Sequence, residues 1–84
     1  MNYAVSILRR AQKKLGQLSS PSFERVCEAI RSLAQNPRPP GYRRLVARDG
    51  WRIRVGDYRV IYEIDDVSHS VLVLHVGHRR DVYN

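Results

Sequence analysis

The sequence predicts an α+β fold: a small antiparallel sheet, run as a β-α-α-β-β-β-β meander, with two N-terminal helices packed on one face. Three observations carry this expectation. Apolar residues recur at helical spacing through the first third of the chain and alternate with period two from Arg44 onward. The switch falls on a proline-rich connector, Asn36-Pro37-Arg38-Pro39-Pro40-Gly41, which cannot continue a helix. The chain has 84 residues, room for one domain spanning 1–84.

The elements follow in order. NYAVSIL (2–8) alternates weakly and reads as a first strand. Leu8, Ala11, Leu15 and Leu18 then share one helical stripe, with Arg9, Arg10, Lys13 and Lys14 outside it. Ser20-Pro21 is a helix start, a capping hydroxyl followed by proline at the first helical position. The second helix carries Phe23, Val26, Cys27, Ile30, Leu33 and Ala34 on one stripe. Beyond the connector, Arg44–Arg48, Trp51–Val55, Tyr58–Ile64 and Val71–Val76 read as strands, rich in Val, Ile and aromatics. Asp49-Gly50, Gly56-Asp57 and the polar stretch Asp65–Ser70 separate them.

Composition narrows the class. The sequence has no signal peptide pattern and no apolar run of membrane-spanning length, so a cytoplasmic protein without a membrane role is expected. Cys27 is the only cysteine and falls on an apolar stripe, so it reads as a small buried hydrophobe rather than a reactive thiol. No Gly-rich phosphate loop, metal-ligand cluster or Ser-His-Asp arrangement is legible, and no cofactor is expected. The net charge is +7, and thirteen of the fifteen basic residues are arginine. Arginine offers a flat, permanently charged fork that matches phosphate oxygens. A polyanionic partner is therefore expected, either nucleic acid or an acidic protein.

Gly56-Asp57 between two alternating runs signals a two-residue hairpin with glycine first. Such a hairpin sets Val55 opposite Tyr58, Arg54 opposite Arg59, Ile53 opposite Val60, Arg52 opposite Ile61 and Trp51 opposite Tyr62. Alternation then turns Trp51, Ile53, Val55, Tyr58, Val60 and Tyr62 toward the helices and puts Arg52, Arg54 and Arg59 on the other face. Like charges directly opposite one another destabilise a sheet by a few tenths to about 1 kcal/mol. Three clustered guanidiniums make sense when an anion, such as one phosphate, sits among them. Asp57, in the turn, and Glu63, farther along the strand, are the carboxylates that would otherwise neutralise them.

The chain then ends GHRRDVYN (77–84), where glycine permits a sharp bend. With the last strand beside Tyr58–Ile64, this tail is expected to bring Arg79 and Tyr83 to the edge of the arginine face. With RRLVARDGWRIRVGDYRVIYEID (43–65) and VGHRRDVY (76–83) in this order behind a strand and two helices, the chain resembles the RelE toxins of the RelE/ParE superfamily. The resemblance implies the toxin of a toxin–antitoxin pair, a metal-independent, ribosome-dependent mRNA endonuclease (an mRNA interferase) that cuts the codon in the decoding site and so inhibits translation. It assigns catalytic work to Arg52, Arg54, Arg59, Arg79 and Tyr83. The first three are the residues that alternation alone puts on one face.

The implied reaction is attack of a 2′-hydroxyl on the adjacent phosphate, giving a 2′,3′-cyclic phosphate and freeing the 5′-oxygen. It needs a base, charge stabilisation and a proton for the leaving oxygen. The strand arginines suit charge stabilisation, Arg79 suits phosphate binding, and the resemblance casts Tyr83 as base. Where the best-known members carry lysine, this sequence has Arg52 and Arg54. Arginine is a poor proton donor or acceptor, so His78 is a candidate for part of that proton transfer. His75 is expected to pack inside its strand and His69 to lie in a turn. Many relatives continue past the tyrosine into a C-terminal helix, whereas this sequence stops at Asn84. Tyr83 is therefore expected to become ordered on RNA or the ribosome, and free RNA to be a poor substrate.

Arg9, Arg10, Lys13 and Lys14 read either as a solvated helix face or as contacts to ribosomal RNA. Arg43, Arg44, Arg48 and Arg80 extend the basic field. Trp51, Tyr58 and Tyr62 have the parity of core residues. The resemblance further implies a cognate acidic RelB-like antitoxin, with operator DNA engaged only through the antitoxin complex. Two other readings share the fold: a ParE-like toxin that inhibits DNA gyrase by binding without catalysis, and a catalytically weak relative that acts only as an antitoxin partner.

Overall fold

The computed structural model describes residues 2–46 and 49–78. Its elements are β1 (Ala4–Ile7), α1 (Arg9–Gly16), α2 (Ser20–Ser32), β2 (Arg43–Arg44), β3 (Trp51–Val55), β4 (Tyr58–Asp65) and β5 (Ser70–His78). The five strands form one sheet in the order β1-β5-β4-β3-β2. The α+β class and the element order are those the periodicities predict. The sheet is mixed, however: β1 runs parallel to β5, pairing Ala4 with Ser70 through Ile7 with Val73, and the other three pairings are antiparallel. Side-chain alternation has period two in either direction, so it carries no information about strand polarity.

The helices cover one face. Ala11 and Leu15 of α1, Val26 and Ile30 of α2, and Leu33 at its C-terminus pack on Ile53, Val60, Tyr62, Val71, Val73 and Val76. Ser19 sits ahead of α2 in an extended conformation, so that helix begins one residue earlier than the Ser20-Pro21 signal indicates. Phe23, although on the apolar stripe of α2, is 41 % exposed in the first turn, where it lines an open groove with Val55 of β3. Tyr62 is fully buried, and its hydroxyl donates to the Pro37 carbonyl at 2.7 Å. That bond docks the proline connector onto the core, and burial raises the phenol pKa well above its ordinary value.

The connector is fastened a second time at the surface. Arg38 donates to both oxygens of Asp66, at 3.2 and 2.8 Å, and the Tyr3 hydroxyl donates to Asp66 at 2.7 Å. These donors, Arg38 first, hold the Asp66 carboxyl down at about 2. His69, in the turn before β5, packs edge-on against Tyr3 at 5.2 Å.

The strand expected over Arg44–Arg48 is shorter, a two-residue edge strand at Arg43–Arg44. After it the chain turns back, with the Leu45 amide donating to the Gly50 carbonyl at 3.0 Å. Gly50 has φ +133, and a Cβ there would lie 3.0 Å from Leu45 Cδ1, so only glycine fits the turn.

Candidate functional site

The β3–β4 hairpin has the register that the Gly56-Asp57 signal predicts. Trp51 faces Tyr62, Arg52 faces Ile61, Ile53 faces Val60, Arg54 faces Arg59, and Val55 faces Tyr58. Gly56 takes φ +61, whereas Asp57 has no positive φ, the pattern of a turn with glycine first. Trp51, Val55 and Tyr58 pack at the margin of the helix-side core, where Ile53, Val60 and Tyr62 are central. Arg52, Arg54 and Arg59 therefore share the face away from the helices.

The structure adds Arg43 to them. β2 sets Arg43 directly opposite Arg52, so two rows of like charge cross the sheet, Arg43 beside Arg52 and Arg54 beside Arg59. Cross-strand partners have Cβ atoms only about 5 Å apart. Arg52 is half-buried, and its Nε has no hydrogen-bond partner among the described residues. Burial, and then the charges of Arg59, Arg54 and Arg43, push its guanidinium below the ordinary arginine value. Among the described residues, the carboxylates on or near this face are Glu63 and Asp57. Glu63 shares the face but sits four residues along β4 from Arg59, ~13 Å at strand rise. Asp57 is exposed in the turn.

An open cleft of about 630 Å³ lies at this edge, where β2 stops and β3 runs on. Arg43, Arg52 and Arg54 line one side and the connector (Pro39 to Gly41) another, while Ala29 and Ser32 of α2 close it on the helix side. A small apolar patch underlies the arginines: Leu45 and Ile61 are buried, with Leu74 packed against them.

The histidines lie where strict alternation does not put them. β5 pairs Val73 with Tyr62 but His75 with Ile61, so Leu74 is an extra residue, a β-bulge. Val71, Val73 and Val76 all face the helix-side core in consequence, and the parity changes between Val73 and Val76. His75 therefore joins the arginine face, with Ile61 and Arg52 in its row, whereas sequence parity predicts it packed inward. His78 pairs with Tyr58 and stacks edge-on against its ring at 5.6 Å, on the helix side. The bulge thus separates His78, a candidate for proton transfer at the arginines, from that cluster. No sequence signal marks the bulge. Arg10 donates from Nε to the Leu74 carbonyl at 3.0 Å, so α1 holds the strand at the bulge.

The remaining basic candidates divide. Arg9 and Lys13 are exposed on α1 and Lys14 is half-exposed. Arg44 pairs with Trp51 and lies over its ring at 5.5 Å, with Arg38 at 5.7 Å. Arg44 is thus on the helix side of the sheet edge, away from Arg43. Arg48, Arg79, Arg80 and Tyr83 lie outside the described residues. Among the described residues, no helix is long and apolar enough to cross a membrane.

Known proteins share this architecture. The family model for the ParE toxin of the type II toxin–antitoxin system parDE matches residues 2–83. Toxin RelG of Mycobacterium tuberculosis (strain ATCC 25618 / H37Rv) is 35% identical over 86 residues, covering 99% of this chain and 98% of that protein. The toxin in the archaeal RelE–RelB complex from Pyrococcus horikoshii OT3 is 28% identical with a TM-score of 0.85, over 98% of this chain and 100% of that one. In the toxin–antitoxin complex RelBE2 of Mycobacterium tuberculosis the values are 29% and 0.82, over 94% and 100%. The chain belongs to the RelE/ParE family and is a toxin of a type II toxin–antitoxin system.

Proposed function

We propose that this toxin is a ribosome-dependent mRNA endonuclease. The observation that carries the reading is the cluster of Arg43, Arg52, Arg54 and Arg59 on one sheet face, charge opposite charge, beside an open cleft. A scissile phosphate is the ligand that suits it. The developing charge of the five-coordinate intermediate is larger than that of the ground-state diester, so guanidiniums fixed there favour the transition state. Arg79 and Tyr83 complete the site, as the resemblance implies. The similarity to Toxin RelG supports the toxin part of this reading. The partner is an acidic RelB-like antitoxin, since the solved relatives are RelE–RelB and RelBE2 complexes and a +7 chain complements an acidic one.

The match to the ParE family model favours a second reading, a toxin that binds its target without catalysis. Programmed ribosomes carrying a short mRNA separate the two. The endonuclease reading expects cleavage at the decoding codon with a 2′,3′-cyclic phosphate end, lost in Arg54→Ala and Tyr83→Phe, and naked mRNA left intact. Intact ribosomal mRNA from the folded protein would reject that reading in favour of the binding toxin.

A further inference from the structure

The arginine face lacks a lysine, and its guanidiniums cannot exchange protons near neutral pH. The β5 bulge supplies what they lack. His75 lies in the same cross-strand row as Arg52, with Ile61 between them. Strands ~4.8 Å apart put the His75 and Arg52 backbones about 10 Å from each other, a span that a nucleotide phosphate and its ribose fill. Gly77, two residues on and opposite Arg59, is buried and carries no side chain. The charged groups facing this position are Arg59 and Glu63 on β4, Arg52 and Arg54 on β3, and Arg43 on β2. From the flank, Arg10 of α1 holds the Leu74 carbonyl.

We infer that His75 is the proton acceptor of the site, a role that rests on the endonuclease reading above. As the 2′-oxygen bonds to phosphorus, its proton passes to the His75 imidazole. The bond from phosphorus to the 5′-oxygen breaks, and that oxygen takes a proton from water. The arginines hold the charge throughout. A free imidazole titrates near neutrality, whereas a free phenol titrates near pH 10.

Two measurements on the full chain test this. In the first, protein labelled at histidine nitrogens is titrated with an RNA trinucleotide whose central 2′-hydroxyl is replaced by hydrogen, which prevents cleavage. The His75 resonances are expected to move, whereas those of His69, in the distant turn, stay still. In the second, single-turnover cleavage on ribosomes is followed from pH 5.5 to 9. The unmodified protein is expected to gain activity through the imidazole range, about pH 6–7, and then level off. His75→Gln should lose that limb and fall about 100-fold, while still binding the trinucleotide.

A silent His75 in the titration overturns the proposal whether or not ribosomes are cut. So does an unchanged pH profile in His75→Gln, or a rate that climbs to pH 9 in both proteins, which would make a phenol the base. Absence of cleavage by the unmodified protein rejects the endonuclease reading and the proton-transfer role with it. A moved His75 resonance would then place the imidazole in an RNA-binding surface only.

Discussion

One hairpin carries two opposite solutions on its two faces. Toward the helices, Ile53, Val60 and Tyr62 are nearly free of solvent, and the Tyr62 hydroxyl has a partner in Pro37. On the other face, Arg54 is directly opposite Arg59 and Arg43 directly opposite Arg52. The first face stabilises the fold by burial; the second spends stability by setting like charges together. A face built for the fold alone would alternate charge sign or carry threonine, so the difference marks the arginine face as the one to test for function.

The largest effects belong to the helix-side face. Leu33→Ala removes a fully buried side chain and should destabilise the protein by about 2–5 kcal/mol in urea unfolding, a loss that no RNA contact explains. Tyr62→Phe keeps the ring but strips the Pro37 carbonyl of its donor. A cost of about 1–3 kcal/mol is expected, with the connector loosened and the cleft it lines enlarged. A cost near zero would show that the connector is held by Arg38 and Asp66 alone.

On the arginine face the sign reverses. Arg54→Gln should stabilise the fold by a few tenths to about 1 kcal/mol, and raising the salt from 0.1 to about 1 M should erase most of that gain. Its cleavage on ribosomes should fall at the same time. Loss of stability in this variant would mean that the arginines serve the fold after all.

The smallest effect tests the corner that fastens the connector. The Asp66 carboxyl is depressed from 3.8 to about 2, chiefly by its bonds from Arg38 and Tyr3. A depressed carboxylate contributes stability above its unfolded pKa and loses it as pH falls through the folded one. The contribution should thus be whole above about pH 4 and fade toward pH 2. Asp66→Asn should flatten that part of the acid-unfolding profile while leaving the neutral-pH activity unchanged.

The sequence made this contrast legible to different depths in different places. The hairpin register followed from Gly56-Asp57 because a two-residue turn leaves one way to pair the strands. With it came the face of every residue from Trp51 to Tyr62. The β1–β5 pairing was legible as a strand but not as parallel, since alternation is blind to direction. Phe23 has the helical spacing of a core residue yet is exposed, because spacing gives a stripe's angle on the helix and not how tightly its first turn packs. β5 departs furthest from its sequence pattern. One residue inserted at Leu74 exchanges the two faces for everything after it, and so His75 and His78 trade places relative to their parity. The tail roles of Arg79 and Tyr83 rest on the resemblance alone, as those residues lie outside the described structure.

The arginine face sets like charges together at a cost to the fold, a cost that an anionic ligand would offset. Urea unfolding of the unmodified protein and Arg54→Gln, each with and without a short RNA oligonucleotide, tests it most directly. Arg54→Gln is expected to be the more stable protein without RNA, and RNA is expected to stabilise the unmodified protein enough to reverse the order. An Arg54→Gln protein that is less stable without RNA, together with no RNA-dependent gain in the unmodified chain, would contradict it.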